Sequence, residues 1–424
     1  MKCKGSVVLV GLALMGVLLS NTGCTSLTAE KRVRHSVHAE YAINDPQFSN
    51  SISTLLGPPL LPGNSIVELL NGDQIFPAML EAIRGAQKTI TIETFIWKSG
   101  EVTKEFADAL SERARAGVKV HVIADMMGSS KFRKRDVKQL REAGADFVKF
   151  NPPRLFNFFR INHRTHRKIM VVDGKIGFTG GVCFADAWLG NGEQEGHWRD
   201  IHFRIEGPVV GQIQAAFMDH WLQARSEVLH GDNYFPALKA IGPATAQFYK
   251  SGARDGAENA FLSYLMAIAA AKQNIRLAHA QFVPNQLLLK ALLDARQRGV
   301  KVEVITPSKL DNFAVRRAAR SRYGPLLKAG VDIYEYQPAM YHCKIMIVDE
   351  VWVTAGSVNF DERSFRINGE ANINVLNQEL AGKLVRTFEE DKKKSKQITL
   401  EEFKKRNWLS KGFDYLMGFF RSQL

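Results

Sequence analysis

The chain has 424 residues, 45% of them hydrophobic, an ordinary globular composition with room for two or more compact domains. Its four cysteines, Cys3, Cys24, Cys183 and Cys343, exclude a disulfide framework. The formal net charge of +14 calls for an anionic partner, nucleic acid or an anionic membrane surface, and composition alone does not choose between them.

At the N-terminus, Lys2 and Lys4 precede an apolar run from Val7 to Leu19, followed by Ser20, Asn21, Thr22, Gly23 and Cys24. A charged start, a short apolar core and small residues before a cut site read as a secretory signal. The run is too short to span a bilayer comfortably. Gly23-Cys24 also resembles a bacterial lipoprotein lipobox, in which Cys24 becomes the lipidated N-terminus, although Asn21 stands where that pattern prefers leucine. Ordinary cleavage and an uncleaved anchor are the alternatives. With lipidation, Thr25 implies sorting to the outer membrane. Residues 1–23 are therefore expected to be a signal peptide of lipoprotein type and residues 24–60 an N-terminal linker, in a protein of the bacterial cell envelope. Losing residues 1–24 would leave 55 basic against 43 acidic residues, or +12.

Residues 61–240 form the first expected domain. "AMLEAIRGAQKTITIETFI" reads as a helix, a Gly-containing turn and a strand, and "FADALSERARAGVKVHVIAD" repeats the pattern with Gly117 as the helix stop. "RLFNFFRINHR" then interleaves Phe156, Phe158 and Phe159 with Arg154, Arg160 and Arg164. That stretch suits contact with lipid, stacking on single-stranded nucleic acid, or ordinary core packing. Residues 167–172 read as a strand running into the Asp173-Gly174 turn, with His166 and Lys168 two positions apart and so on one face.

Residues 241–400, the second expected domain, say this again. "SYLMAIAAAKQNIRLAHAQFV" and "LLKALLDARQRGVKVEVIT" answer the two helix–strand units. "AGVKVHVI" at 116–123 returns as "RGVKVEVI" at 298–305, and "RKIMVVD" at 167–173 as "CKIMIVD" at 343–349. The first pair is offset by 182 residues and the second by 176, so the first half carries six extra residues between these landmarks, expected just upstream of its motif. Alternating helices and β-branched strands predict an α/β protein. It should hold two similar α/β/α layered domains, related by a pseudo-twofold axis and packed face to face, with a composite active site between them. Residues 401–424 form a C-terminal amphipathic segment. There Leu409, Phe413, Leu416, Met417, Phe420 and Leu424 share a helical face among Lys404, Lys405, Arg406, Lys411 and Arg421, which suits either a membrane interface or docking on the domain.

His166, Lys168 and Asp173 thus recur as His342, Lys344 and Asp349 with identical spacing, and the second set is followed by "GSVNFDERSF". Exchange at a phosphodiester needs a nucleophile, a proton donor for the leaving alkoxide and positive charge around the phosphoryl oxygens. Two histidines can share the first two tasks. Lys168 and Lys344 can neutralise the oxygens, and Ser357 and Asn359 can donate hydrogen bonds as charge builds. A metal site is the rival reading, but an ammonium at both central positions is no ligand and repels a cation. No metal and no cofactor is therefore expected.

This doubled H-x-K-x4-D pattern with G-S-x-N resembles the phospholipase D superfamily. It is most similar to the bacterial cardiolipin synthase branch, through "NHRTHRKIMVVDG", "HWRDIHFRIEGP", "QFVPNQLLLKAL" and "AGSVNFDERSFRINGE". The resemblance implies a phosphohistidine formed on His166 and a leaving group protonated by His342. It also implies an acid downstream of each histidine to orient its far nitrogen: Asp200, 34 residues after His166, and Glu370, 28 residues after His342. Asp173 and Asp349 are expected to organise their turns and pair with nearby cations. Gly181, expected at the phosphate with Ser357 and Asn359, stands where the second half has Ser357, and Cys183, a poor donor, where it has Asn359. Cys343 reads as a small buried residue. Transfer of a phosphatidyl group to an alcohol, hydrolysis of a lipid or nucleic-acid diester, and non-enzymatic lipid binding remain open. The export signal and apolar tail favour an anionic phospholipid at a membrane surface over nucleic acid, and the resemblance favours cardiolipin made from phosphatidylglycerol.

Overall fold

Two repeated peptides lie in one sheet because their strands are apolar on both sides. In "IMVV", strand β5 (Ile169–Val172), Ile169 and Val171 enter one hydrophobic core while Met170 and Val172 enter another. The computed structural model describes residues 32–38, 40–152, 163–253, 256–309, 313–407, 411–414 and 417. The signal segment with Cys24, the stretch 153–162 and most of the amphipathic tail lie outside them.

The first copy contains β1 (Leu61–Leu70), β2 (Thr89–Thr94), β3 (Lys119–Asp125), β4 (Asp146–Phe150), β5, β6 (Ile176–Gly180) and β7 (Ile201–Glu206). The second contains β8 (Ala244–Ser251), β9 (Asn274–His279), β10 (Lys301–Pro307), β11 (Asp332–Tyr336), β12 (Lys344–Val348), β13 (Trp352–Gly356) and β14 (Glu370–Leu376). The first is ordered β1-β7-β6-β5-β2-β3-β4 and the second β8-β14-β13-β12-β9-β10-β11, which is the same permutation. They join edge to edge, β1 antiparallel to β8, with Leu61 opposite Ala246 and Asn64 opposite Ala244. A short strand β15 (Ser395–Ile398) extends the second copy beyond β11.

Helices 71–85, 101–115 and 134–142 cover one face of the first copy, through Ile75, Phe76, Val102, Phe106, Leu110 and Leu140. Helix 210–225 lies on the opposite face, and helix 378–393 occupies the matching place in the second copy. Their buried side chains (Ile213, Phe217, Trp221, Leu380, Leu384 and Phe388) sit in one cluster with Ile169, Val171, Ile345, Ile347, Ile373 and Val375. The two α/β/α halves therefore share a core, and the chain from Arg34 onward is one compact unit. Gly117 and Gly299 end equivalent helices at φ of +94° and +88°, where a side chain would be strained.

The length difference between the halves has two sources. His166 lies sixteen positions after Phe150, but His342 only six after Tyr336. Four of the ten are offset by a longer passage from Pro307 to Asp332 than from Asp125 to Asp146.

Candidate active site

Lys168 stands just before β5 and Lys344 opens β12, so each histidine precedes the strand at the centre of its half. Alternation sends Arg167 and Cys343 the other way. Arg167 is buried, donating to the Ala216 carbonyl at 2.7 Å and meeting Asp219 at 3.1 Å. Cys343 is fully buried in the shared core.

The pairing of the histidines with their acids differs from the sequence expectation. His166 Nδ1 lies 2.9 Å from both Glu370 oxygens, and His342 Nδ1 lies 2.7 Å from Asp200 Oδ2. Each acid serves the histidine of the other half. The cause is strand order: β6 lies between β5 and β7, which sets His166 and Asp200 about two strand spacings, or roughly 10 Å, apart. The backbone crosses in the same sense. His166 N–H donates to Gly369 O at 2.7 Å, and His342 N–H to Arg199 O at 2.8 Å, each carbonyl immediately preceding the acid.

Two residues expected at the phosphate face the acids instead. Ser357 donates its hydroxyl to Glu370 Oε2 at 2.5 Å. At Gly181, a Cβ would lie 2.1 Å from Asp200 Oδ1, so the missing side chain is what admits that carboxylate. Trp188 Nε1–H supplies Asp200 with a bond at 2.9 Å, and Ile201 N–H adds another at 2.9 Å. Asp173 and Asp349 also lie away from the histidines. Asp173 accepts the N–H groups of Gln87, Lys88 and Thr89, and Asp349 those of Lys272, Gln273 and Asn274. They fix the start of the neighbouring strand by backbone bonds rather than by pairing with cations.

The lysines stay with their histidines. Lys168 Nζ donates to His166 O at 2.6 Å and stands 5.6 Å over the Phe95 ring. Lys344 Nζ donates to His342 O at 2.6 Å and lies 3.1 and 3.2 Å from the ring nitrogens. Burial, then the positive charges of Lys168 and Lys344, push His166 down to about 4 against the pull of Glu370. Burial and Lys344 push His342 to about 3, with Lys168 adding to the effect and Asp200 opposing it. Burial brings Lys344 down to about 8. Burial works against the charge on Glu370 and Asp200, but the facing imidazoles and lysines hold both below the usual carboxylate range. Both lysines thus act on both histidines, and the motifs converge electrostatically.

Asn359, 6% exposed, lines a cleft of about 320 Å³ with His166, Phe95, Arg164, Asp361, Arg363 and Asn368. Cys183, its counterpart, is buried in the first copy's own core. Several neighbours went unnoticed in the sequence. Trp188 and Trp198 pack on the His342 ring at 5.3 and 5.0 Å, and Phe95 meets His166 at 5.0 Å. Buried Glu93 binds His220 Nδ1 at 2.5 Å and accepts the Thr165 hydroxyl, fixing the residue before His166. Trp198 lies in "HWRD" and Asp361 in "NFDERS", so proximity to a motif could have flagged both; Glu93, one acid in a strand of alternating threonine and isoleucine, gave no signal. Among the described residues no helix is long and apolar enough to cross a membrane.

The family model described as cardiolipin synthase, PLD-like domain matches residues 79–221 and again 264–392. A probable cardiolipin synthase, YwiE of Bacillus subtilis, is 36% identical over 346 residues, 81% of this chain and 69% of that protein. The minor cardiolipin synthase ClsB of the same organism is 35% identical over 364 residues, 83% of this chain and 89% of that one. In three dimensions the chain is similar to the phosphatidylserine synthase of Haemophilus influenzae, with a TM-score of 0.68 at 14% identity, covering 89% of this chain and 100% of that one. The last likeness concerns the fold.

Proposed function

The chain belongs to the cardiolipin synthase family with phospholipase D-like domains, and from that membership we propose a phosphatidyltransferase that makes cardiolipin from two molecules of phosphatidylglycerol. The observation that carries the mechanism is the crossed pairing of the acids, which leaves Nε2 of each imidazole as the nitrogen for chemistry.

In the proposed scheme His166 Nε2 attacks the phosphorus of the first phosphatidylglycerol. The bond to the glycerol oxygen breaks, and that oxygen takes a proton from His342 Nε2. A second phosphatidylglycerol then gives its hydroxyl proton to neutral His342 as its oxygen attacks phosphorus. The phosphorus–nitrogen bond breaks, releasing cardiolipin and neutral His166. A buried imidazole held near 4 is neutral at physiological pH, as a nucleophile must be. His342 needs a proton for the first step, and an anionic phosphate arriving beside it favours the charged form. Lys168 and Lys344 balance the phosphoryl charge in both steps. Asn359 donates its amide to the same oxygens, and Glu370 and Asp200 hold the two rings in orientation.

Attachment to the bacterial envelope through lipidated Cys24, favouring the outer membrane, belongs to the same proposal; the lipobox-like "TGC" and the basic charge support it. Mass analysis of membrane-extracted protein would find diacylglycerol on residue 24. The activity is tested with purified protein and phosphatidylglycerol vesicles. Cardiolipin plus glycerol supports transfer, whereas phosphatidic acid alone would assign hydrolysis by the same intermediate.

A further inference from the structure

The duplication gives each side of the cleft a built-in comparison, and the two sides are chemically opposite. Strand register equates Gly356 with Gly180 and Asn372 with His202. Counting from these, Asp361 corresponds to Ala185, Arg363 to Ala187 and Asn368 to Trp198, while Arg164 before one histidine corresponds to Met340 before the other. His342 is therefore walled by Trp188 and Trp198, and His166 shares its cleft with Arg164, Asp361, Arg363 and Asn368. Symmetric halves bound for one phosphate do not need this difference.

The polar side also carries unmet hydrogen-bonding capacity. Asp361 is 1% exposed; one oxygen accepts the Ser364 N–H at 2.8 Å, and the other, Oδ2, has no partner among the described residues. Asn368, 7% exposed, has a long 3.5 Å contact from Nδ2 to Glu370, and its Oδ1 has no partner among the described residues. Asn359 Oδ1 and Arg164 Nε are buried and also without a partner among the described residues. A buried polar atom left unsatisfied is destabilising, so several around one cleft mark a ligand's place. Arg164 and Arg363 on the same cleft repel a cation, and the oxygens call for hydroxyl donors.

We propose that this wall is the seat of an alcohol headgroup. The reacting oxygen of a polyol stands at His342, which takes its proton, and the headgroup extends across the phosphate to dock its remote hydroxyls on Asp361 Oδ2 and Asn368 Oδ1, where Arg164 takes an anionic oxygen of the same ligand. The ligand class is a glycerol-like headgroup joined to a phosphodiester, in preference to free glycerol or water. Burial raises Asp361 to about 7, with the charge of Glu370 pushing the same way, so near neutral pH its carboxyl can accept from a hydroxyl or donate to one. This subsite rests on the phosphatidyltransfer reading and adds to it the residues that choose the acceptor.

The test uses full-length Asp361→Ser, which keeps an oxygen to cap Ser364 N–H but removes the second one, and Asn368→Ala. Two donors separate the steps. Phosphatidyl-p-nitrophenol has no headgroup hydroxyl, so its nitrophenol release reads the nucleophile and the fold; phosphatidylglycerol vesicles read transfer. For both variants the loss in cardiolipin formation exceeds the loss in nitrophenol release by about tenfold, the size of one lost hydrogen bond, and the product shifts toward phosphatidic acid. Arg164→Gln narrows the preference for phosphatidylglycerol over free glycerol as acceptor. Equal losses with both donors, or an unchanged ratio of cardiolipin to phosphatidic acid, would overturn the subsite. Wild-type protein that releases nitrophenol yet forms no cardiolipin would overturn the transfer reading itself, and the subsite with it.

Discussion

Gly181→Ala places one carbon where Asp200 now sits. Its Cβ would lie 2.1 Å from Oδ1 and 2.6 Å from Oδ2, and an ordinary carbon–oxygen contact begins near 3.4 Å. The carboxylate must therefore retreat by more than about 1 Å, which stretches the 2.7 Å contact to His342 Nδ1 beyond hydrogen-bonding range. A hydrogen bond to a charged group contributes about 1.5–3 kcal/mol, so the proton-donating form of His342 should be disfavoured by roughly 10- to 150-fold. The effect should depend on the leaving group. Glycerol leaves as a poor alkoxide and needs the proton, whereas p-nitrophenolate does not. Initial rates of glycerol release from phosphatidylglycerol should fall about 10- to 100-fold, and nitrophenol release from the chromogenic donor should fall far less. Equal loss with both leaving groups, or glycerol release at the wild-type rate, would refute the assignment of Gly181 to the Asp200–His342 pair.

Ser357→Ala removes the hydroxyl that Glu370 accepts and should lower turnover about tenfold while leaving the melting temperature within a few degrees, checked by steady-state kinetics and calorimetry. Asp173→Ala strips an acceptor from three backbone N–H groups and should cost about 2–4 kcal/mol in denaturant unfolding, yet leave the ratio of transfer to hydrolysis unchanged. Acid should unfold the protein early. His121, His166 and His202 are held near 4, and His279 and His342 near 3, chiefly by burial, against about 6.5 in an unfolded chain. Each stays neutral when folded and is protonated when unfolded between those values. Stability is therefore full above about pH 6.5 and declines toward pH 4 by up to about 1.4 kcal/mol per pH unit per imidazole. A stability profile flat from pH 7 to 4 would contradict this.

The duplication was legible because evolution left near-identical peptides, such as "RKIMVVD" and "CKIMIVD", at matching places, and because helix stops at Gly117 and Gly299 punctuate both copies. The residues of the candidate site were legible as types: each chosen acid meets a motif histidine, Glu370 with His166 and Asp200 with His342. Their partners were not. Spacing along the chain ties Asp200 to His166, whereas the intervening strand β6 separates them and the pseudo-twofold hands each acid to the other half. The contacts of Ser357 with Glu370 and of Gly181 with Asp200 were not legible for a related reason, since a hydroxyl or a bare Cα suits a phosphate and a carboxylate equally well. The indole wall over His342 and the polar wall beside His166 emerge only when the two copies are laid on one another in space.

The central claim is that each imidazole is held by the carboxylate of the opposite half. It is tested most directly by nitrogen-15 spectra of histidine-labelled protein, with Glu370→Gln and Asp200→Asn compared against wild type. Crossed pairing requires Glu370→Gln to move the Nδ1 resonance of His166 and leave that of His342 in place, and Asp200→Asn to do the reverse. The opposite pattern, each acid governing the histidine of its own half, would contradict the composite site.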